Sequence, residues 1–353
     1  MNKTHKFPYE WTLKGATFTK DKGKVFSCFS CGGGSTMGYK LAGFDVIGCN
    51  EIDPKMMGAY VANHNPAHPY LEPIQTFKNR DDLPQELYDL DILDGSPPCS
   101  SFSMAGNREK DWGKEKKFRE GQADQVLDTL FFDFIELAKK LQPKVVIAEN
   151  VKGLLLGDAR DYLWRIHGAF DKAGYYVGHK LLDASKMGVP QRRERVFFYA
   201  IRKDLYKGEF MDLFQTEPRL DLEFDEAPIT YAQIEEKGGK GIFKMGPKSS
   251  ELYAQVKPGE SFSVASGNTH FGYKKMKMTE VLSTMLCADK NRGGDFHPTE
   301  NRPLSYLEVA RGSTFPTDYK LDNPLHLYRY AGMSVPPVMT AQVATRVLEQ
   351  WLE

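Results

Sequence analysis

No stretch of this 353-residue sequence stays apolar for the roughly eighteen residues that a membrane helix needs, so no membrane span is expected. Its first thirty residues also lack the pattern of a secretory signal. Cysteine is scarce: Cys28, Cys31, Cys49, Cys99 and Cys287 are an odd set of five in a long chain. That excludes a disulfide framework and fits a reducing, cytoplasmic setting, where a cysteine is either a small buried hydrophobe or a reactive thiol. Around the glycines at 32–34 neither a G-x-G-x-x-G nor a G-K-[ST] can be read, so a pyrophosphate-cradling loop is not expected. Charge of either sign is not in excess, with 47 Lys+Arg against 47 Asp+Glu, which argues against a uniformly basic nucleic-acid binder. What remains is 41% hydrophobic and 27% charged, enough for one large α/β domain and a smaller one.

The first pattern present is a strand over 24–29 running into Cys31-Gly32-Gly33-Gly34-Ser35. Tyr39, Leu41, Ala42 and Phe44 suggest a short helix, and 45–49 a second buried strand ending in Asn50-Glu51-Ile52-Asp53. Strand, glycine loop, helix, strand and acid make the nucleotide-binding half of a doubly wound sheet. Glycines let a backbone approach a ligand, and an acid at the tip of the second strand is placed for ribose hydroxyls. An adenosine-type ligand is expected. The alternation continues with strands at 91–95, 145–148, 175–182 and 196–201 and helices at 126–141 and 162–173. The expected fold class is therefore α/β, a doubly wound, mostly parallel sheet whose ligands sit at the carboxyl ends of its strands.

Beyond residue 202 the pattern weakens and charge segregates. Residues 204–236 carry ten acids and two bases, and 237–292 ten bases and four acids. The zero net charge is thus a cancellation, and the later segment is either a solvated lysine-rich surface or a phosphate-contacting one. Helical pattern returns at 305–311 and 340–352.

Pro97-Pro98-Cys99 holds a thiol in a rigid turn at a strand end. Glu149-Asn150 ends another strand, and Arg193 and Arg195 open a third. A thiol, a carboxyl and guanidinium groups on one sheet edge suit nucleophilic addition to an electron-poor ring. The plainer alternatives are a buried structural cysteine, a Glu149 paired with Lys152, and a solvated arginine cluster. Cys28-Phe29-Ser30-Cys31 has dithiol or zinc spacing, with His64 and His68 as the nearest further ligands, but Pro66 interrupts them and no metal is expected.

Taken in order, these segments resemble the DNA cytosine-5 methyltransferases, and the resemblance covers nearly the whole chain. Phe29-Ser30-Cys31-Gly32-Gly33-Gly34 resembles the family's F-x-G-x-G-G loop, and Asn50-Glu51-Ile52-Asp53 its acidic motif. Pro98-Cys99-Ser100-Ser101-Phe102-Ser103 is similar to P-C-Q-x-F-S, Glu149-Asn150-Val151 to E-N-V, and 191–195 to Q-x-R-x-R. Residues 304–311 resemble L-T-x-x-E-x-A-R, and Gly332-Met333-Ser334-Val335 the G-N-S-V segment. The resemblance implies a methyltransferase-type sheet with S-adenosylmethionine as cofactor. It would be bound by Phe29, Ser30, Gly32, Gly33, Gly34, Glu51, Ile52, Ile74, Pro98, Leu130, Ser334 and Val335. It also implies a target cytosine flipped out of duplex DNA, with Cys99 as nucleophile on C6, Glu149 at N3, Arg195 at O2 and Arg193 beside it.

Five departures from the family pattern matter. Ser27 stands where an acid is usual, Cys31 replaces the first glycine, Ser100 the glutamine and Met333 the asparagine. Glu72-Pro73-Ile74 takes the place of G-D-I, so the adenine contact of that motif is not carried over. The resemblance divides the chain into a catalytic domain at 1–202, a target-recognition domain at 203–303 and a returning segment at 304–353. Lys274, Lys275, Lys277 and Arg292 are its candidate DNA contacts. It implies a bacterial or phage protein, a monomer acting on double-stranded DNA, with a cognate restriction endonuclease as a possible partner. A tRNA cytosine methyltransferase and a non-catalytic binding regulator are the alternatives. The first is disfavoured by Cys287-Ala288-Asp289 in place of Cys-Phe-Thr, the second by an intact nucleophile and E-N-V.

Overall fold

The structure is a computed structural model that describes residues 5–98, 129–156, 159–208, 217–267, 269, 272–287 and 294–353, together with the backbone of two short strands at 115–116 and 125–126. Among these residues no helix is long and apolar enough to cross a membrane. The chain divides into two compact units. One comprises Phe18–Leu182, Glu194–Glu223 and Ala341–Glu353; the other comprises Met1–Thr17, Asp183–Arg193 and Phe224–Thr340.

The first unit is built on β1 (Lys24–Cys28), α1 (Gly34–Leu41), β2 (Asp45–Glu51), α2 (Pro54–His64), β3 (His68–Leu71), α3 (Ile74–Phe77) and β4 (Ile92–Gly95). The two-residue antiparallel pair β5 (Glu115–Lys116) and β6 (Gln125–Val126) follows. After it come α4 (Leu130–Leu141), β7 (Val145–Val151), α5 (Ala159–Ala173), β8 (Tyr175–Asp183) and β9 (Glu194–Arg202). Seven strands form one sheet in the order β3-β2-β1-β4-β7-β9-β8. The pairings from β3 to β7 are parallel, and β9 runs antiparallel to β7. The chain builds outward from β1 to β3 and then crosses to β4 on the other side, so the winding reverses between β1 and β4. A crevice at the carboxyl ends of these two strands is where such a sheet takes its ligand.

Local sequence explains the elements. The first four residues of β7 are all buried, as a strand covered on both faces requires. Helix α4 buries Leu130, Phe131, Phe134, Ile135, Leu137, Ala138 and Leu141 along one stripe and stops at Gln142, which is left-handed with φ 51° and precedes Pro143. Helix α2, absent from the sequence expectation, is started by Asp53, whose carboxylate accepts the Lys55 and Met56 N–H groups, with Pro54 in the first turn. Helix α1 begins at Gly34, five residues earlier than the pattern of apolar residues suggests, because it springs directly from the glycine loop. Phe26, Phe77, Phe131 and Phe134 lie in one core with fully buried neighbours, so truncating Phe131 to alanine would cost about 3–5 kcal/mol.

The second unit has little sheet. It contains α6 (Tyr231–Ile234), α7 (Pro247–Gln255), α8 (Ser263–Ser266), β10 (Tyr273–Lys275), β11 (Gly294–Phe296), α9 (Tyr306–Gly312) and α10 (Leu327–Met333). The chain leaves it along α11 (Pro337–Val347). β10 and β11 pair in parallel over a small core of Leu252, Tyr253, Val256, Phe262 and Phe296, in which the Phe262 ring stacks on Tyr273 with centroids 5.7 Å apart. In this compact division most of 304–353 groups with 224–303, and Asp183–Arg193 joins them. The reason lies in buried polar contacts: Gln191 donates to the Gly312 carbonyl and accepts from Met285 N–H, and Trp11 donates to the Thr314 carbonyl.

Candidate active site

The loop after β1 is wound by left-handed residues at alternate positions: Phe29 at φ 52°, Cys31 at φ 49° and Gly33 at φ 80°. At Gly33 only glycine fits, since a Cβ there would lie 2.3 Å from the His64 ring nitrogen. Cys31, where the family has glycine, adopts the left-handed conformation with a side chain, at a cost of about 1 kcal/mol. An N–H bond from Cys31 to the Glu51 carboxylate, 2.8 Å long, offsets that strain. Cys28 is a free, buried thiol whose burial pushes its pKa well above the usual thiol value, so this C-x-x-C is no ready dithiolate. His64 is buried too, and burial lowers its pKa to about 3, which keeps it neutral.

Glu51 ends β2 and is buried. Its Oε1 accepts the Ile52 and Asp53 N–H groups at 2.9 Å each, and among the described residues its Oε2 accepts only the Cys31 N–H. Burial raises its pKa, against the pull of the three donors. One lone-pair direction on Oε2 remains for a further donor such as a ribose hydroxyl. Phe29, half-buried, packs over the core with its ring 6.3 Å from Phe134, while Ser30 and Gly32 to Gly34 are buried beside it. A loop with an apolar ring, a free acceptor and no basic residue from 29 to 35 suits an adenosine-type ligand without phosphates. Ile52 and Pro98 are half-buried, and Ile74 and Leu130 buried, at the starts of α3 and α4 for the last two.

Asp94, on β4, is a site residue that the sequence reading missed. It sits opposite Ser27 in the parallel register and accepts hydrogen bonds from Ser27 Oγ at 2.7 Å and Tyr39 OH at 3.1 Å. Burial among neutral donors pushes its pKa up to about 7. A buried acid thus lies on the neighbouring strand, one ladder partner from Ser27.

At the end of β7 the Glu149 carboxylate meets the Arg195 guanidinium, with Oε1 and Nε 2.8 Å apart and both side chains largely buried. The antiparallel register of β7 and β9 makes this meeting possible. Lys152, the plain alternative partner of Glu149, instead holds Glu194. Asn150, between the two site strands, donates to the Pro97 carbonyl at 3.2 Å and fixes the chain entering Pro98. Cys99 itself lies outside the described residues, as does Arg292.

The remaining expected site residues belong to the second unit. Arg193 is 2% exposed and donates to the Met285 and Gly332 carbonyls. Ser334 and Val335 are buried, and the Ser334 hydroxyl has no hydrogen-bond partner among the described residues. In the segment resembling L-T-x-x-E-x-A-R, Glu308 is fully buried and accepts from Arg302, Tyr231, Ser305 and Glu236. Lys274 and Lys277 both face Glu280, and Lys275 donates to the Tyr253 and Val256 carbonyls.

Comparison with known proteins identifies the family. Residues 23–349 match the family model of C-5 cytosine-specific DNA methylases. The chain is 28% identical to the type II methyltransferase M.Eco47II of Escherichia coli, over 92% of this chain and 78% of that protein. It is also 28% identical to M.NgoPII of Neisseria gonorrhoeae, over 92% of this chain and 95% of that one. Among solved structures, Spodoptera frugiperda DNMT2 has the same fold, with a TM-score of 0.61 at 18% identity over 94% of this chain and 99% of the other. With the match running through the glycine loop, the Glu149–Arg195 pair and the closing helices, the chain belongs to the C-5 cytosine-specific DNA methylase family.

Proposed function

We propose that this DNA cytosine-5 methyltransferase works on a flipped-out cytosine in duplex DNA through Cys99, as a monomer and as the modification partner of a restriction endonuclease. The observation that carries the reading is the buried Glu149–Arg195 pair beside the strand end that leads to Cys99. When bound, S-adenosylmethionine supplies an electrophilic methyl group; Glu51, Phe29 and the loop at 30–34 are the residues to hold it. The Cys99 thiolate adds to C6 of the ring. The electron pair moves toward N3 and O2, where Glu149 delivers a proton to N3 and Arg195 donates to O2. C5 would then take the methyl group and give its proton to a solvent base, N3 would return its proton to Glu149, and the C5–C6 double bond would re-form as the thiolate leaves. A thiol of ordinary pKa near 8.5 is mostly protonated at neutral pH, so ring activation by Glu149 and Arg195 carries much of the work.

Arg193, spent on two carbonyls, is better read as a positioning residue that fixes the 183–193 segment before Arg195. The 224–303 region is the proposed reader of the target sequence, with Lys277, about half exposed, as the most available of its three described candidate lysines. The type II relatives support the pairing with an endonuclease. Transfer of labelled methyl from S-adenosylmethionine to duplex DNA, with Cys99→Ser inactive but still binding cofactor, is the expected result. A covalent adduct with DNA containing 5-fluorocytosine should accumulate, since fluorine cannot leave as a proton does. A fully active Cys99→Ser enzyme, or no adduct on a substrate that is otherwise methylated, would overturn the mechanism. Bisulfite sequencing of DNA from cells expressing the protein would give the recognition site.

A further inference from the structure

At the β8 edge of the sheet, within the catalytic unit, His167 on α5 and His179 on β8 point ring nitrogens at each other, Nε2 to Nδ1, 3.1 Å apart. A Glu217 carboxylate oxygen lies 4.0 Å from the same Nδ1, and all three ligand atoms fall within 4.8 Å of one another. We propose that His167, His179 and Glu217 form a structural site for a borderline divalent metal ion, of which zinc is the type.

The geometry suits such an ion. Metal–nitrogen bonds of about 2.0–2.1 Å at a tetrahedral centre put two ligating nitrogens about 3.3 Å apart, close to the spacing found here. The carboxylate is about half exposed and so has room to turn inward and close the third edge. Two imidazoles and one carboxylate favour zinc, cobalt, nickel or copper over magnesium or calcium, which take oxygen shells. Both rings rest against Phe198, which limits their freedom before binding. Burial lowers the pKa of both histidines, His167 to about 4, so neither needs to lose a charge near neutral pH. The three ligands come from a helix, an edge strand and the chain that follows β9, so an ion would clip together segments far apart in sequence. None of the three residues belongs to the site proposed for methyl transfer, and a stabilising role follows, with a water in the fourth position.

Cobalt(II) is the probe, added to the full chain after treatment with a chelator. One equivalent should bind and give the intense visible absorption of tetrahedral cobalt, and zinc should displace it and raise the thermal midpoint of unfolding. His179→Ala and His167→Ala should lose the band and the zinc-dependent shift. Glu217→Gln, at an exposed position that leaves folding undisturbed, should weaken cobalt binding by roughly tenfold or more. Methyl transfer at ambient temperature should survive chelation. No stoichiometric band in the folded wild-type chain, or a band unchanged by Glu217→Gln together with either histidine variant, would overturn the proposal and leave the two rings as a hydrogen-bonded pair.

Discussion

Two buried carboxyls, one in each unit, sit in opposite electrostatic worlds. Asp94 in the sheet unit is 5% exposed and is held by the hydroxyls of Ser27, Tyr39 and Ser35. Glu308 in the other unit is fully buried, but Arg302 grips both its oxygens. Burial raises the pKa of the first to about 7. At Glu308 burial also raises it, but Arg302, the Glu236 and Ser305 N–H groups and Tyr231 outweigh that and leave it lowered. The lesson is that burial alone does not set protonation: neutral donors leave a desolvated acid holding its proton, while a bidentate guanidinium keeps it ionised. The contrast also separates the ways the units are built. Apolar strands and helices hold the sheet unit, whereas the other relies on buried polar knots around Glu308, Gln191 and Arg193.

The largest expected effect is at Glu149, the carboxyl proposed to act at N3. Glu149→Gln keeps the shape but removes the proton source at N3, and should lower kcat by about 10²–10⁴-fold in labelled-methyl assays while cofactor affinity holds. A parallel fall in cofactor affinity would mean that Glu149 instead supports the sheet. Next in size, Glu308→Ala leaves Arg302 buried beside a lost partner and should destabilise the protein by about 3 kcal/mol in urea unfolding. Only a knot that matters to folding would give that loss, and an effect below about 1 kcal/mol would show the second unit to be held by its apolar core after all.

The pH dependence should run in opposite directions. Between the unfolded carboxyl pKa of about 4 and its folded value near 7, Asp94 keeps a proton that the unfolded chain releases. Wild-type stability relative to Asp94→Asn should therefore fall as pH rises through this window, by an amount on the order of a few kcal/mol at most. Glu308 has the reverse sign: stability relative to Glu308→Gln is full above the unfolded pKa and is lost as pH falls below it. Urea midpoints at about pH 3, 5 and 8 for both pairs of proteins would reveal the crossing, the Asp94 difference appearing between the upper two and the Glu308 difference between the lower two, and parallel pH profiles would remove the distinction. The smallest effect concerns the surface. Lys277→Ala should reduce the slope of log binding constant against log salt by about 1 for duplex DNA, and Glu280→Gln, which frees Lys274 and Lys277, should strengthen binding. A salt slope unchanged by Lys277→Ala would place the phosphate contacts elsewhere.

Much of the sheet unit was legible beforehand. The runs at 24–28, 145–148 and 196–201 are apolar enough to be strands wherever they occur, and the glycine loop marks its own place between strand and helix. Helix α2 was missed because its apolar residues are few and its start depends on the Asp53 cap. Helix α10 and the small β10–β11 sheet were missed because short segments acquire structure only from the neighbours they pack on. The ordered motifs pointed to Glu149 and Arg195, but not to Asp94, whose role exists only through its ladder partner Ser27.

The sequence by itself determined the α/β alternation and the family, because strand and helix periods and short motifs are local properties of the chain. Tertiary structure alone decided which charges meet. It paired Glu149 with Arg195 and Lys152 with Glu194, set Asp94 against Ser27, and brought His167, His179 and Glu217 together. The physical reason is that an ionisable group takes its protonation and its chemistry from neighbours within a few ångströms, and those neighbours come from distant parts of the chain.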